Sequence, residues 1–170
     1  MKLLFYSLTL PLCIQALSYS LQSIRYNFKS SSIKQILEIV KTNRGTNSLI
    51  NEACEEVNNI LQNKKIETAK EAMNAISVFK LASDLDSSIS LLKTLMTDSS
   101  TSLLDTGIFN NIIDICAKQG NMSMTIYLLQ CMDKLNIPKD KITFGTTLSA
   151  CANRYYHFYY YLPHISHIVY

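Results

Sequence analysis

The stretch Ile108-Phe109-Asn110-Asn111-Ile112-Ile113-Asp114-Ile115-Cys116-Ala117-Lys118-Gln119-Gly120-Asn121 decides the architecture. Its apolar residues recur at helical spacing, and Gly120-Asn121 supplies a break. Residues 122–135 resume the same period, and 142–153 open another helix after Asn136-Ile137-Pro138-Lys139-Asp140. A shift of 35 residues lays Asp105 on Asp140, Phe109 on Phe144, Ile113 on Leu148, Cys116 on Cys151 and Ala117 on Ala152. Matches at five positions, each at a spacing a helix allows, mark an internal repeat.

Toward the N-terminus the register becomes 37, with Asp84 on Asn121, Leu85 on Met122, Ile89 on Ile126 and Leu91-Leu92 on Leu128-Leu129. Apolar spacing predicts further helices over 32–41, 48–62, 68–81 and 84–96, and the Ser/Thr-rich 98–104 reads as a linker. No segment alternates as a strand would. The expected fold class is all-α. Helices this short cannot each bury a face alone, so they are expected to stack in antiparallel pairs. Asp84, Asp86, Asp105 and Asp140 stand at helix starts, where a carboxylate caps free N–H groups and meets the positive end of the helix dipole.

Residues 108–121 resemble the first helix and turn of a pentatricopeptide repeat. Residues 122–132 with Leu135-Asn136-Ile137-Pro138-Lys139-Asp140 are similar to its second helix and closing loop, and Ile142-Thr143-Phe144 starts the next copy. One complete repeat, 107–141, and half of another are recognisable in the region 105–153; residues 38–104 would hold divergent repeats. Tetratricopeptide repeats are the rival, but their period is 34 and they use a Trp, which this chain lacks. The resemblance implies a short right-handed α-solenoid that binds single-stranded organellar RNA in processing, stability or translation, one base per repeat. It implies that Asn111, and Thr146 in the next repeat, read bases, Asn going with pyrimidines and Thr with purines. Ile108 and Thr143 take the place of the side chains that sandwich a base. The closing residue, usually Asp or Asn in the family, is Lys141 in this register, which departs from the pattern and points to phosphate instead. Lys118 is a candidate phosphate contact. Each has a plainer alternative: Asn111 as a solvated helix residue, Lys118 as an ordinary exposed lysine. Phe109, Phe144, Leu128 and Met132 read as core.

Composition limits these readings. The 170 residues, 48% hydrophobic and 17% charged, suit one compact domain or a short array of repeats and argue against disorder. Lys2, Arg25, Lys29 and Lys34 stand in the first 37 residues without an acidic residue, so the other 12 Lys and Arg meet 13 Asp and Glu. A body so nearly neutral cannot hold nucleic acid by counterion release alone and must rely on base contacts and local cations. The five cysteines, at 13, 54, 116, 131 and 151, form no CxxC pair and read as small core residues in a reducing compartment. No acidic cluster, Gly-rich phosphate loop or nucleophile–base pair is visible, so neither an enzyme nor a cofactor or metal site is expected. A protein-interaction scaffold, or the RNA-binding arm of a larger processing enzyme, are the alternative functions, and other RNA-processing proteins are candidate partners.

Residues 1–18 carry a short apolar run ending in Ala16-Leu17-Ser18, the pattern of a signal-peptidase site, and the run is too short to span a membrane comfortably. Residues 19–37 are Ser-rich and basic, as a transit peptide is. Together they resemble the two-part leader of proteins bound for plastids enclosed by extra membranes, with no membrane anchor in the mature form. Plain secretion and a mitochondrial leader are the alternatives. Residues 154–170, with Tyr155, Tyr156, Phe158, Tyr159, Tyr160 and Tyr161, lose helical polarity. The favoured reading is a misread exon boundary in place of further repeats. A base-stacking surface, or a metal site from His157, His164 and His167, are the others.

Overall fold

The computed structural model describes residues 28, 31–43, 47–97 and 101–165, the last eleven of these by their backbone. The signal-peptide reading, most of 19–37 and the tail's aromatic and histidine side chains lie outside the described residues. Among those described, seven α-helices and one 3-10 turn, Thr101–Leu103, make up the fold, and no strand occurs. The helices are α1 (Ile33–Thr42), α2 (Asn47–Asn63), α3 (Ala69–Ala82), α4 (Leu85–Thr97), α5 (Thr106–Lys118), α6 (Met122–Lys134) and α7 (Lys141–Ile165). None is long and apolar enough to cross a membrane.

Short polar side chains set the starts. Ser32 and Gln35 exchange side-chain and backbone bonds in a capping box at α1. Thr68 Oγ1 accepts from Glu71 N–H at 3.1 Å, Asp84 Oδ1 from Ser87 N–H at 3.0 Å and Asn121 Oδ1 from Met124 N–H at 3.1 Å. Asp105 and Asp140, 35 residues apart, do the same for Ile108 and Thr143, both at 2.8 Å. The repeat offset thus places the same cap at α5 and α7, two helices apart in the chain.

The turns inside the last two complete hairpins are also alike. Ser83 (φ 56°) and Gly120 (φ 64°) each end a helix in the left-handed conformation, and the very next residue, Asp84 or Asn121, caps the following helix. In both, that next residue's N–H returns to a carbonyl five positions back: Asp84 to Phe79 and Asn121 to Cys116, each at 2.9 Å. The 37-residue register of the sequence is therefore also the register of the turns.

The first helices pack on one another in chain order, α1 on α3, α3 on α5 and α5 on α7. Each second helix packs against its own first helix and the next: α2 on α1 and α3, α4 on α3 and α5, α6 on α5 and α7. One continuous core results, with Ile36, Ile76, Phe79, Leu92, Phe109 and Met132 fully buried. The core reaches back to Phe28, Ile33, Ile36 and Leu37, so the boundary expected at residue 37 falls inside α1.

The aromatic run, expected to interrupt the pattern, continues α7 without a break to Ile165. Helical backbone bonds close within four residues and need no apolar stripe, and Tyr and Phe have only modestly weaker helix propensity than Leu.

Candidate functional site

Residues 111, 114 and 118 are spaced three and four apart, which puts their side chains on one stripe of α5. Asp114, half-buried, is the hub. Its Oδ2 lies 3.1 Å from Lys80 Nζ of α3 and 3.2 Å from Lys118 Nζ. Lys80 Nζ also donates to Asn111 Oδ1 at 3.0 Å, and the Asn111 amide nitrogen sits 3.1 Å from Met73 Sδ. Burial alone would push the Asp114 carboxyl up; the hydrogen bonds and charges of the two lysines reverse this and hold it below its ordinary value. The group joins two cations to one carboxylate, so it keeps a positive excess at neutral pH.

A second polar cluster lies between α5 and α7. Asn110, only 8% exposed, donates from Nδ2 to Asp140 Oδ1 at 3.1 Å. The Thr143 hydroxyl accepts from Asp140 N–H at 3.1 Å, and its one hydrogen faces two acceptors: Asn110 Oδ1 at 2.6 Å and Asp140 Oδ1 at 2.9 Å. The Thr143 backbone N–H first, then the Asn110 amide, hold the Asp140 carboxyl below its ordinary value.

Of the residues singled out in the sequence, Asn111 and Lys118 join through Asp114. Ile108 and Thr143, expected to flank a base, are fully buried in the seams around α5; in this structure their surfaces go to helix packing. Thr146 is half-buried, its hydroxyl turned back on the carbonyls of Ile142 and Thr143 at 2.9 and 3.1 Å. Lys141 is exposed at the first position of α7. Neither Lys141 nor Thr146 bonds to the Asp114 group. Sequence reasoning missed Lys80, Asp114, Asn110 and Asp140 as partners. The signal for Asp114 was available in its spacing from Asn111 and Lys118; Lys80 and Asp140 stand 34 and 30 residues from their partners, a distance only packing closes.

Two buried thiols are quiet: burial, and then the charge of Asp84, pushes Cys54 to about 12, and burial lifts Cys116 to about 11. Among the described residues, no three His, Cys, Asp or Glu side chains converge as a metal site would require. A cavity of about 220 Å³ lies between α2 and α4, over an apolar floor of Leu61, Ile66, Leu91 and Leu95. It belongs to the second helices, away from the α3–α5 cluster. No family model matches the chain, and no curated protein matches it.

Proposed function

We propose that the chain is a short right-handed α-solenoid of the pentatricopeptide kind that binds single-stranded RNA along its first helices, in organellar RNA processing, stability or translation. The observation that carries this reading is the row α1–α3–α5–α7 combined with the Lys80–Asn111–Asp114–Lys118 group, which bridges two neighbours of that row. An amide can donate and accept toward a base edge, and two lysines beside it suit the phosphate that follows.

The reading takes Asp140 as the closing residue, because α7 starts at Lys141 and Asp140 is the residue that caps it. Asp is what the resemblance expects there, which removes the departure that Lys141 represented. Asn110, bonded to Asp140 in the buried α5–α7 seam, holds that closing residue in place, and Lys141 remains available to phosphate.

The test is a mobility shift of a labelled pyrimidine-containing single-stranded RNA against duplex DNA over a range of salt. Salt-dependent binding of the RNA alone supports the reading. Equal binding of both, or of neither, overturns it and favours a protein-interaction scaffold.

A further inference from the structure

Asn111 is held at both ends of its amide, by groups of opposite character. Lys80 Nζ donates to Oδ1 at 3.0 Å, while Nδ2 donates toward Met73 Sδ at 3.1 Å. An ammonium can only donate, and a thioether sulfur can only accept. Turning the amide over would set one donor against another on the first side and oxygen against sulfur on the second. Its surroundings therefore allow one of its two orientations. Lys80 is itself restrained, because its Nζ lies 3.1 Å from Asp114 Oδ2 and both residues are half-buried. Asp114 holds Lys80, and Lys80 holds the amide. The next seam does not repeat this arrangement. Lys80 stands three residues before Ser83, as Ala117 stands three before Gly120, so the matching position carries no donor. Thr146, at the register of Asn111, turns its hydroxyl onto its own helix.

A fixed amide offers its remaining N–H and its remaining oxygen lone pair in one order. Uracil and cytosine differ in that respect. On the Watson–Crick edge, uracil N3 donates and O4 accepts, whereas cytosine N3 accepts and N4 donates. An amide free to turn over meets either base by exchanging its ends, and so separates them poorly. With the base held in one position by its backbone, a fixed amide meets one pyrimidine and opposes the other. The polar groups then left unpaired are a strong source of discrimination. Resting on the RNA reading above, we propose that Lys80 is a positioning residue that sets the base selectivity of Asn111, by locking its amide in the one orientation that separates uracil from cytosine.

The probes are labelled oligouridine and oligocytidine of equal length, titrated against the full chain at neutral pH and read by fluorescence anisotropy. Both carry the same phosphates, so the ratio of their affinities is insensitive to lost charge. The wild type should separate them by about tenfold or more, the scale of one well-placed amide pair. Lys80→Met keeps the bulk and loses the donor, and should bring the two affinities close to equal. Lys80→Arg, still a pure donor, should keep them apart. Asp114→Asn, which releases Lys80 toward phosphate, should tighten binding at low salt and yet lower the ratio, an opposition that a merely structural role would not produce. Circular dichroism checks the helix content of each variant, and if Lys80→Met loses its helices the Asp114→Asn ratio decides. A wild type that binds both RNAs alike overturns the proposal and leaves the RNA reading standing. So does a ratio that survives Lys80→Met or Asp114→Asn, or one that Lys80→Arg abolishes. Binding of neither RNA overturns both.

Discussion

Lys80 of α3 and Asp114 of α5 hold their charged groups 3.1 Å apart across the seam between two consecutive first helices. Because Lys118 shares the same carboxylate oxygen, one acidic residue restrains both lysines of the candidate RNA face. Asp114→Asn should free both ammonium groups toward phosphate. The expected result is tighter RNA binding at low salt and a steeper dependence of log K on log salt, by about one further ion. Lys80→Ala should flatten that slope. An unchanged slope in both variants would remove these lysines from the interface.

The same carboxylate should shape the acid limb of stability. Its folded value is held below the ordinary one, so its contribution is present at neutral pH and is lost as pH falls below about 4, through the folded value. Asp140 acts in the same direction. Chemical denaturation across pH 2–7 should show Asp114→Asn with a shallower acid loss than the parent chain.

Adjacent asparagines should separate packing from binding. Asn110→Ala removes the amide that joins Thr143 to Asp140 in a nearly closed seam, and should cost about 1–2 kcal/mol. Asn111→Ala leaves Lys80 with Asp114 as partner, so the melting temperature should hardly move while RNA affinity falls. Thr146→Ala is expected to behave like Asn111→Ala.

Ser83 adopts a backbone conformation that its register partner Gly120 adopts without penalty. Ser83→Gly should therefore stabilise the chain by about 0.5–1 kcal/mol, and Gly120→Ala should destabilise it by about 1–2 kcal/mol. Thermal melts of the two variants, moving in opposite directions, would verify that the turns are equivalent.

Deletion of residues 1–27 keeps Phe28 and the whole of α1. Deletion of 1–37 strips Phe28, Ile33, Ile36 and Leu37 from it. Each of these is worth about 1.5–3 kcal/mol when fully buried, which together rivals the whole stability of a typical domain, about 5–15 kcal/mol. The longer deletion should lose α1 and melt at a much lower temperature. By the same argument, the N-terminus of the protein isolated from cells should lie upstream of Phe28.

The helices were legible because two local cues coincide in them. Apolar residues recur at the helical period, and a Ser, Thr, Asp or Asn precedes α1, α3, α4, α5, α6 and α7, where its side-chain oxygen ends the uncertainty about the start. The end of α7 was not legible, since the aromatic-rich run 155–161 carries no amphipathic stripe, and Pro163, which has no N–H to donate, reads as a stop although the helix runs past it to Ile165. The site was legible only in part. Asn111 and Lys118 share a stripe that spacing reveals, whereas Lys80 reaches them through the packing of α3 on α5. Ile108 and Thr143 show the limit most clearly. Spacing puts them early in a first helix, but which way they point depends on the neighbouring helix, which no local pattern encodes.

The turns at Ser83-Asp84 and Gly120-Asn121 have a consequence for protein engineering. In each, the residue that ends one helix is followed directly by the residue that starts the next, so the connection has no slack. A tag, a cleavage site or a new chain terminus placed there would break two helix ends at once. The two-residue difference between the offsets of 37 and 35 must be absorbed elsewhere, and the chain between α4 and α5 is the segment long enough to absorb it. That segment is where foreign sequence should be grafted, and where a permuted version of this protein should be opened.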